Sequence, residues 1–226
     1  MKESRFFTLV WRINGLLLMV AGVLAIGIST FAGYKIITDI VRERSSSNIV
    51  NVEEKDAIKE EWQLGYLTNI EGGPYVMSPL RSEQNYAQSY YSKSSTSARN
   101  YLFINGTTNE QHWLLSSHQY LIVDFELLSE RREKDVQAIL YRVVKTDSNE
   151  DKRLTGDDTL TIGLSLPTGA GYKEILQGVN TFIGQRVITP TTLLIIFEQG
   201  GIGYSANVNL TDFTLYNKRP IAKVGA

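Results

Sequence analysis

The sequence predicts an all-β antiparallel soluble domain preceded by one transmembrane α-helix, and two features carry that prediction. From Ile13 to Tyr34 the run INGLLLMVAGVLAIGISTFAGY holds no charged residue. Beyond position 62 the chain breaks into short β-branched or aromatic runs separated by Gly, Asn, Asp and Pro, a pattern of strands and turns. Four segments follow: a short tail over 1–12, the helix over 13–37, a juxtamembrane linker over 38–62 and the β-domain over 63–226.

The uncharged run makes about 33 Å of helix at about 1.5 Å per residue, enough to cross a hydrocarbon core of about 30 Å. Trp11 and Tyr34 stand at its two ends, where amphipathic rings favour the membrane–water interface. A cleaved signal peptide has an apolar core of about 7–15 residues and a small-residue cleavage site. Here the run is longer and continues as KIITDIVRER, so an uncleaved single-pass anchor in the cell membrane is expected (the inner membrane, in a Gram-negative bacterium). Lys2, Arg5 and Arg12 with the amino terminus outweigh Lys35, Arg42 and Arg44, which favours a cytoplasmic amino terminus and a C-terminal domain outside the cytoplasm. Ala21, Ala25, Ser29 and Gly33 recur every four residues. Small side chains in such a stripe let two helices approach closely in lipid, so a membrane-protein partner is expected through the helix. Gly and Ala are also simply common in such helices, and that reading stands beside it.

The linker TDIVRERSSSNIVNVEEKDAIKEEW is charged and Ser-bearing, and SEQNYAQSYYSKSSTSARN (82–100) has no apolar period and reads as a long flexible surface loop. The strands are expected in WQLGYLTNI and PYVMSPL around EGG, then NYLFING and HWLLSS, then the two long runs QYLIVDFELLSE and VQAILYRVVKT. DTLTIGLSL, VNTFIGQRVI, TLLIIFEQ, YSANVNL and FTLYNKRPI complete the set, with GGIG as the strongest hairpin signal. Alternation in YSANVNLTDFTLY suggests strands with one buried and one wet face. A sandwich, a barrel and propeller-type blades all satisfy this pattern. The order of strand, acidic turn, strand and LPTGAGYKEIL over about 30 residues resembles one blade of a TolB-type or WD40-type β-propeller, which implies blade-like local structure for that segment.

One stretch has the spacing of a metal site. In KTDSNEDKRLTGDD, Asp147, Asn149, Asp151, Arg153 (through its carbonyl), Thr155 and Asp158 fall at positions 1, 3, 5, 7, 9 and 12 of a loop, the ligand positions of an EF-hand. The pattern resembles EF-hand and dockerin-type calcium loops, which implies a structural Ca2+ at these six residues. Lys152 stands where that loop turns on Gly, Asp158 is shorter than the usual Glu, and the flanks read as strands. A solvated turn built from Asp, Asn and Gly is the other reading.

Other chemistry is sparse. The 226 residues are 42% apolar and contain no Cys, which excludes disulfides and thiolate chemistry. His112 and His118 on one continuous strand would stand about 20 Å apart and share no ion. No G-x-S-x-G elbow and no Walker-type lysine motif occurs, so no catalytic residue is assigned and no cofactor is required. The net charge is -1, and beyond position 44 the chain has an acidic excess, so nucleic acid is not an expected partner of that part. The expected role is a membrane-anchored binding or assembly subunit. An enzyme or solute receptor with a site assembled by folding, and a stalk stable only within a larger complex, are the alternatives.

Overall fold

A computed structural model describes residues 5–41, 48–52, 58–86, 93–130 and 135–221. It divides into two compact units, Met1–Ser45 and Ser46–Ala226.

The first unit is one helix, α1 (Arg5–Val41). It extends past the expected 13–37 at both ends, because no Pro or Gly pair interrupts the residues flanking the apolar run. Its apolar window, Phe7–Ala32, has a mean hydropathy of 2.2 and is 0% buried. The hydroxyl of Thr30 donates to the Ile26 carbonyl at 2.8 Å, so this polar side chain is satisfied within the helix.

The second unit is all β, and every pairing in it is antiparallel. It opens with β1 (Val50–Asn51). The first sheet holds β2 (Ile58–Leu64) and β3 (Thr68–Asn69), both lying along β4 (Tyr75–Tyr86), then β5 (Lys93–Asn105) and β6 (Gln111–Trp113). The second sheet runs β7 (Leu121–Ser129), β8 (Val136–Val144), β10 (Leu160–Ser165), β11 (Lys173–Val179). Between β8 and β10 the chain leaves to form β9 (Arg153–Leu154), which pairs with β1 through Val50↔Leu154 and Asn51↔Arg153. The third sheet is β12 (Thr181–Thr189), β13 (Thr192–Gln199), β14 (Ile202–Asn209), β15 (Thr214–Pro220).

Each sheet is thus a meander of neighbours in chain order, and two apolar cores separate the three. Phe103, Met77 and Tyr101 of the first sheet meet Ile139, Tyr141 and Val143 of the second. On the opposite face, Ala138, Leu140, Ile162 and Leu164 meet Leu193, Ile195, Phe197, Ala206 and Val208 of the third. From Ala138 to Tyr141 strand β8 alternates between the two cores residue by residue, which is why its sequence there reads as one continuous apolar run. The middle sheet is covered on both faces.

The expected all-β antiparallel architecture is present, and the GGIG turn joins β13 to β14. There Gly200 and Gly201 have φ of 60° and 75°, the left-handed pair that a tight hairpin requires. Two boundaries differ from expectation. The linker contributes β1, and from Ile58 it is already β2. The expected loop over 82–100 is instead the end of β4 and the start of β5, with 87–92 outside the described residues. Among its described residues Ser82, Gln84 and Ser97 are buried: Ser97 donates to the Ile49 carbonyl at 2.9 Å, and Gln84 accepts from the Asn51 N–H at 2.9 Å. Polarity here marks strand faces that grip another segment. Strand β11 follows the PTGAG stretch and is not among the strands read from the sequence.

Candidate functional site

The loop over 147–158 brings its polar residues together, but around N–H groups. The two carboxylate oxygens of Asp147 accept from Asp151 N at 3.1 Å and Lys152 N at 2.7 Å. Asn149 Oδ1 also accepts from Asp151 N, and Asp151 Oδ1 accepts from Arg153 N. Asp158, 1% exposed, accepts from Ser148 N at 2.7 Å, Asn149 N at 3.4 Å and the Ser148 hydroxyl at 3.1 Å with one oxygen, and from Thr155 N at 2.9 Å with the other. Lys152 adopts φ 64° and Glu150 φ 60°, so the chain does turn left-handed where the calcium-loop pattern wants Gly, and a lysine accepts the strain. Among the described residues no group of three or more His, Cys, Asp or Glu side chains converges as a metal cage. Both oxygens of Asp147 and both of Asp158 accept hydrogen bonds that close the loop. Arg153 and Thr155 sit on either side of buried Leu154, and the Lys152 carbonyl accepts from Val52 N at 2.9 Å. The loop presents β9 to β1.

A second constellation, which sequence reasoning missed, lies on the outer face of the first sheet. The pairings Trp62↔Ser82, Leu64↔Leu80, Leu80↔Asn100 and Leu102↔Trp113 put these side chains on one face. A bulge between Leu80 and Arg81 inserts Arg99 as an extra residue. Arg99 is 5% exposed. Its Nε donates to the His118 carbonyl at 2.9 Å, its Nη2 to the Gln119 carbonyl at 3.3 Å, and its Nη1 to Glu60 at 3.3 Å and Ser82 at 3.4 Å. Burial pulls the guanidinium pKa down, and the Glu60 carboxylate offsets part of that pull. The guanidinium carbon lies 5.4 Å from the Trp62 ring centre. His118 Nδ1 is 2.9 Å from Asn100 Nδ2, and its ring is edge-on to Trp113 at 4.9 Å and tilted against Trp62 at 6.2 Å.

The buried cation therefore ties the 118–119 turn to the sheet, and two tryptophans and a histidine line up above it. Both tryptophans remain partly exposed, beside exposed Leu64, Tyr66 and Leu67. The only sequence signal was SARN inside the Ser-rich stretch, and its register cannot be read without the bulge. His112 is elsewhere, stacked on Phe103 at 5.7 Å, so the histidines hold separate structural places.

Buried tyrosines account for the largest acid–base shifts. Burial pushes the phenols of Tyr101, Tyr141 and Tyr172 well above the ordinary range, and the Tyr141–Ser165 hydrogen bond only partly opposes this for Tyr141. All three lie in or against the core between the first and second sheets. A groove of about 480 Å³ runs between the open edges of β7 and β12, lined by Glu126, Ser129, Gln185 and Arg186. The Gln185 amide donates to Glu126 across it.

Fold and faces define the class: an all-β domain of three stacked antiparallel sheets behind a single apolar helix. No family model matches the chain, and no curated protein matches it. Among solved structures it is similar to the β-propeller domain of the Trilobed protease from Pyrococcus furiosus, described as having an open velcro topology. The two share 13% identity with a TM-score of 0.38, over 71% of this chain and 44% of that one. The chain thus spans less than half the length of that structure.

Proposed function

We propose that this protein is a non-enzymatic binding or assembly subunit, anchored by α1 in a membrane, with its β-domain on the side opposite the cytoplasm. The observation that carries the reading is the apolar surface of Phe7–Ala32, 0% buried, at the head of a domain that has its own two cores. About 25 cal/mol for each Å² of such surface favours its removal from water, and a bilayer removes all of it. Lys2, Arg5 and Arg12 support the orientation. The small-residue stripe is a place for a second helix: Ala21, Ala25 and Ser29 are exposed on α1. A non-catalytic role is supported by where the perturbed groups sit. The shifted phenols are in a core, and Arg99 holds a turn.

Fractionation tests the anchor. The full chain is expected in the membrane pellet after alkaline carbonate washing, with its β-domain cut by protease added from outside the cytoplasmic side. Release into the wash, or a mature chain that begins after Ala32, would replace the anchor by a cleaved signal sequence.

A further inference from the structure

One end of the third sheet carries a hollow on its outer face. Leu193, Val208 and Leu215 pair in a row that belongs to the core or packs against it. The next row, Thr192↔Asn209↔Thr214, therefore faces outward. Tyr216, two residues on from Thr214, shares that face and is 38% exposed. Two turns wall off the row. Thr191 stands in the turn between β12 and β13, and Thr211 and Asp212 stand in the turn between β14 and β15. Leu210 N donates to the Thr191 carbonyl at 2.9 Å and joins the two turns. The hollow between them is about 480 Å³, within the range of about 300–1,000 Å³ for small-molecule sites.

Such sites are lined mostly by apolar side chains, whereas every residue lining this one carries a hydroxyl, an amide or a carboxylate. Asn209 Oδ1 accepts from Thr211 N at 2.9 Å, and Asp212 Oδ1 accepts from Thr214 N at 2.9 Å. Among the described residues the Asn209 amide N–H groups, the second Asp212 oxygen and the four threonine hydroxyls take no protein partner. The frame that holds them is fixed. Leu210 and Phe213 are each 5% exposed and anchor the second turn in the core, and Phe213 N donates to the Asn209 carbonyl at 2.8 Å. A preformed frame gives up little freedom on binding.

We propose that this hollow binds a neutral saccharide. A pyranose ring has a rim of hydroxyls and a flat face of C–H groups. The free Asp212 oxygen accepts from such hydroxyls, the Asn209 amide donates to them, and threonine hydroxyls do both. The exposed Tyr216 ring, apolar on its face and polar at its tip, suits the C–H face. An apolar ligand would strip water from these groups and return no hydrogen bond. An anion would be repelled by the Asp212 carboxylate, and a cation by the Lys173 ammonium, which donates to the Asp212 carbonyl at 3.0 Å. A neutral polyol meets neither penalty. This inference gives a ligand to the binding reading above and rests on it, but it does not depend on the anchor.

The full chain, in a detergent without a sugar headgroup, is titrated with methyl glycosides of glucose, galactose, mannose and N-acetylglucosamine and with their short oligomers. Methyl glucuronide serves as the acidic control, and saturation-transfer NMR reads the sugar signals. At least one neutral probe is expected to bind saturably, with saturation strongest on the C–H protons of one ring face. Asp212→Asn keeps an oxygen for Thr214 N and is expected to weaken binding about tenfold, the loss of one hydrogen bond to a charged group. Tyr216→Ala is expected to abolish the one-face pattern, and Tyr216→Phe to keep it. All three variants are expected to melt within a few degrees of the parent. Equal binding of monomers and oligomers would assign a free sugar, and tighter binding of oligomers a polysaccharide or glycan chain. No binding by any neutral probe, unchanged binding by Asp212→Asn and Tyr216→Ala, or tighter binding of the glucuronide would each overturn the proposal. The carbonate wash reads the anchor separately, so a chain that stays in the pellet and binds no sugar overturns this site alone.

Discussion

Asp158 is the residue on which the 147–158 loop closes. It is 1% exposed and accepts from three backbone N–H groups and one hydroxyl. Asp158→Ala removes the acceptor these donors share; water reaches the exposed Ser148 and Asn149, and each donor left unsatisfied costs about 1–3 kcal/mol. A loss of about 3 kcal/mol of unfolding free energy is expected in urea titration of the purified chain. Millimolar calcium is expected to leave the melting temperature of the parent unchanged, because the loop is already closed by its own hydrogen bonds; a rise of several degrees would establish the ion. The spacing of this loop was legible in the sequence, but the left-handed turn at position 152 was not, because a Lys stands where such a turn favours Gly. What spacing could not show is direction, since a carboxylate aimed at an N–H and one aimed at an ion have the same sequence. The tyrosines make a second prediction. Tyr101 and Tyr141 have folded-state pKa values raised above the unfolded value of about 10. Above that pH the unfolded chain loses protons that the folded chain keeps, so stability falls as pH rises. The slope is about 1.4 kcal/mol per pH unit for each phenol. The difference in absorbance at 295 nm between the parent and its Tyr101→Phe and Tyr141→Phe variants is expected to show these two ionising only together with unfolding; a difference that arises before the melt would sink the assignment.

Elements were legible where one face is apolar and illegible where a polar face is used for gripping. The alternation in β14 and the Gly pair at 200–201 announced a hairpin, and the hairpin is there. Ser82, Gln84, Ser97 and Arg99 announced a loop, yet they are buried strand residues, because the segment over 48–52 and the turn over 118–119 satisfy them. Satisfaction of that kind depends on residues tens of positions away, beyond the reach of local pattern. The same principle links β11 to the end of β8. Lys145 donates to Glu174, and Gln177 does so at 2.8 Å. Burial by itself raises the pKa of Glu174, but these two hydrogen bonds and the lysine charge leave it below the ordinary value. A depressed carboxylate contributes stability above its unfolded pKa and loses it as pH falls through the folded one. Acid titration of the Glu174 side-chain carbon resonance is therefore expected to have its midpoint below those of unpaired glutamates. Lys145→Met is expected to move it up and to flatten the loss of stability below about pH 4. An unchanged midpoint would show that the pair does not form in solution.

At the scale of the whole molecule, two cores and a covered middle sheet predict a domain that holds itself together. A chain starting at Ser46 is expected to be soluble and to melt in one cooperative step, followed by circular dichroism and by tryptophan fluorescence with coincident midpoints. Separate midpoints, or no transition, would favour the stalk reading, in which neighbours complete the fold. The sequence could announce three meanders strand by strand, but not which faces they turn to one another, because partner faces of stacked sheets are chosen by shape. The pairing of β1 with β9 has a mechanical meaning. Asn48 donates from its side chain to the Val123 carbonyl, Ile49 accepts from Ser97, Asn51 donates to Gln84 and Val52 donates to Lys152. Tension arriving along the chain at residue 48 therefore meets several hydrogen bonds and not one. It divides between the first and second sheets instead of peeling a single strand from an edge. A pull on the segment before residue 48 would have to break contacts to both sheets before it reached the edge of either.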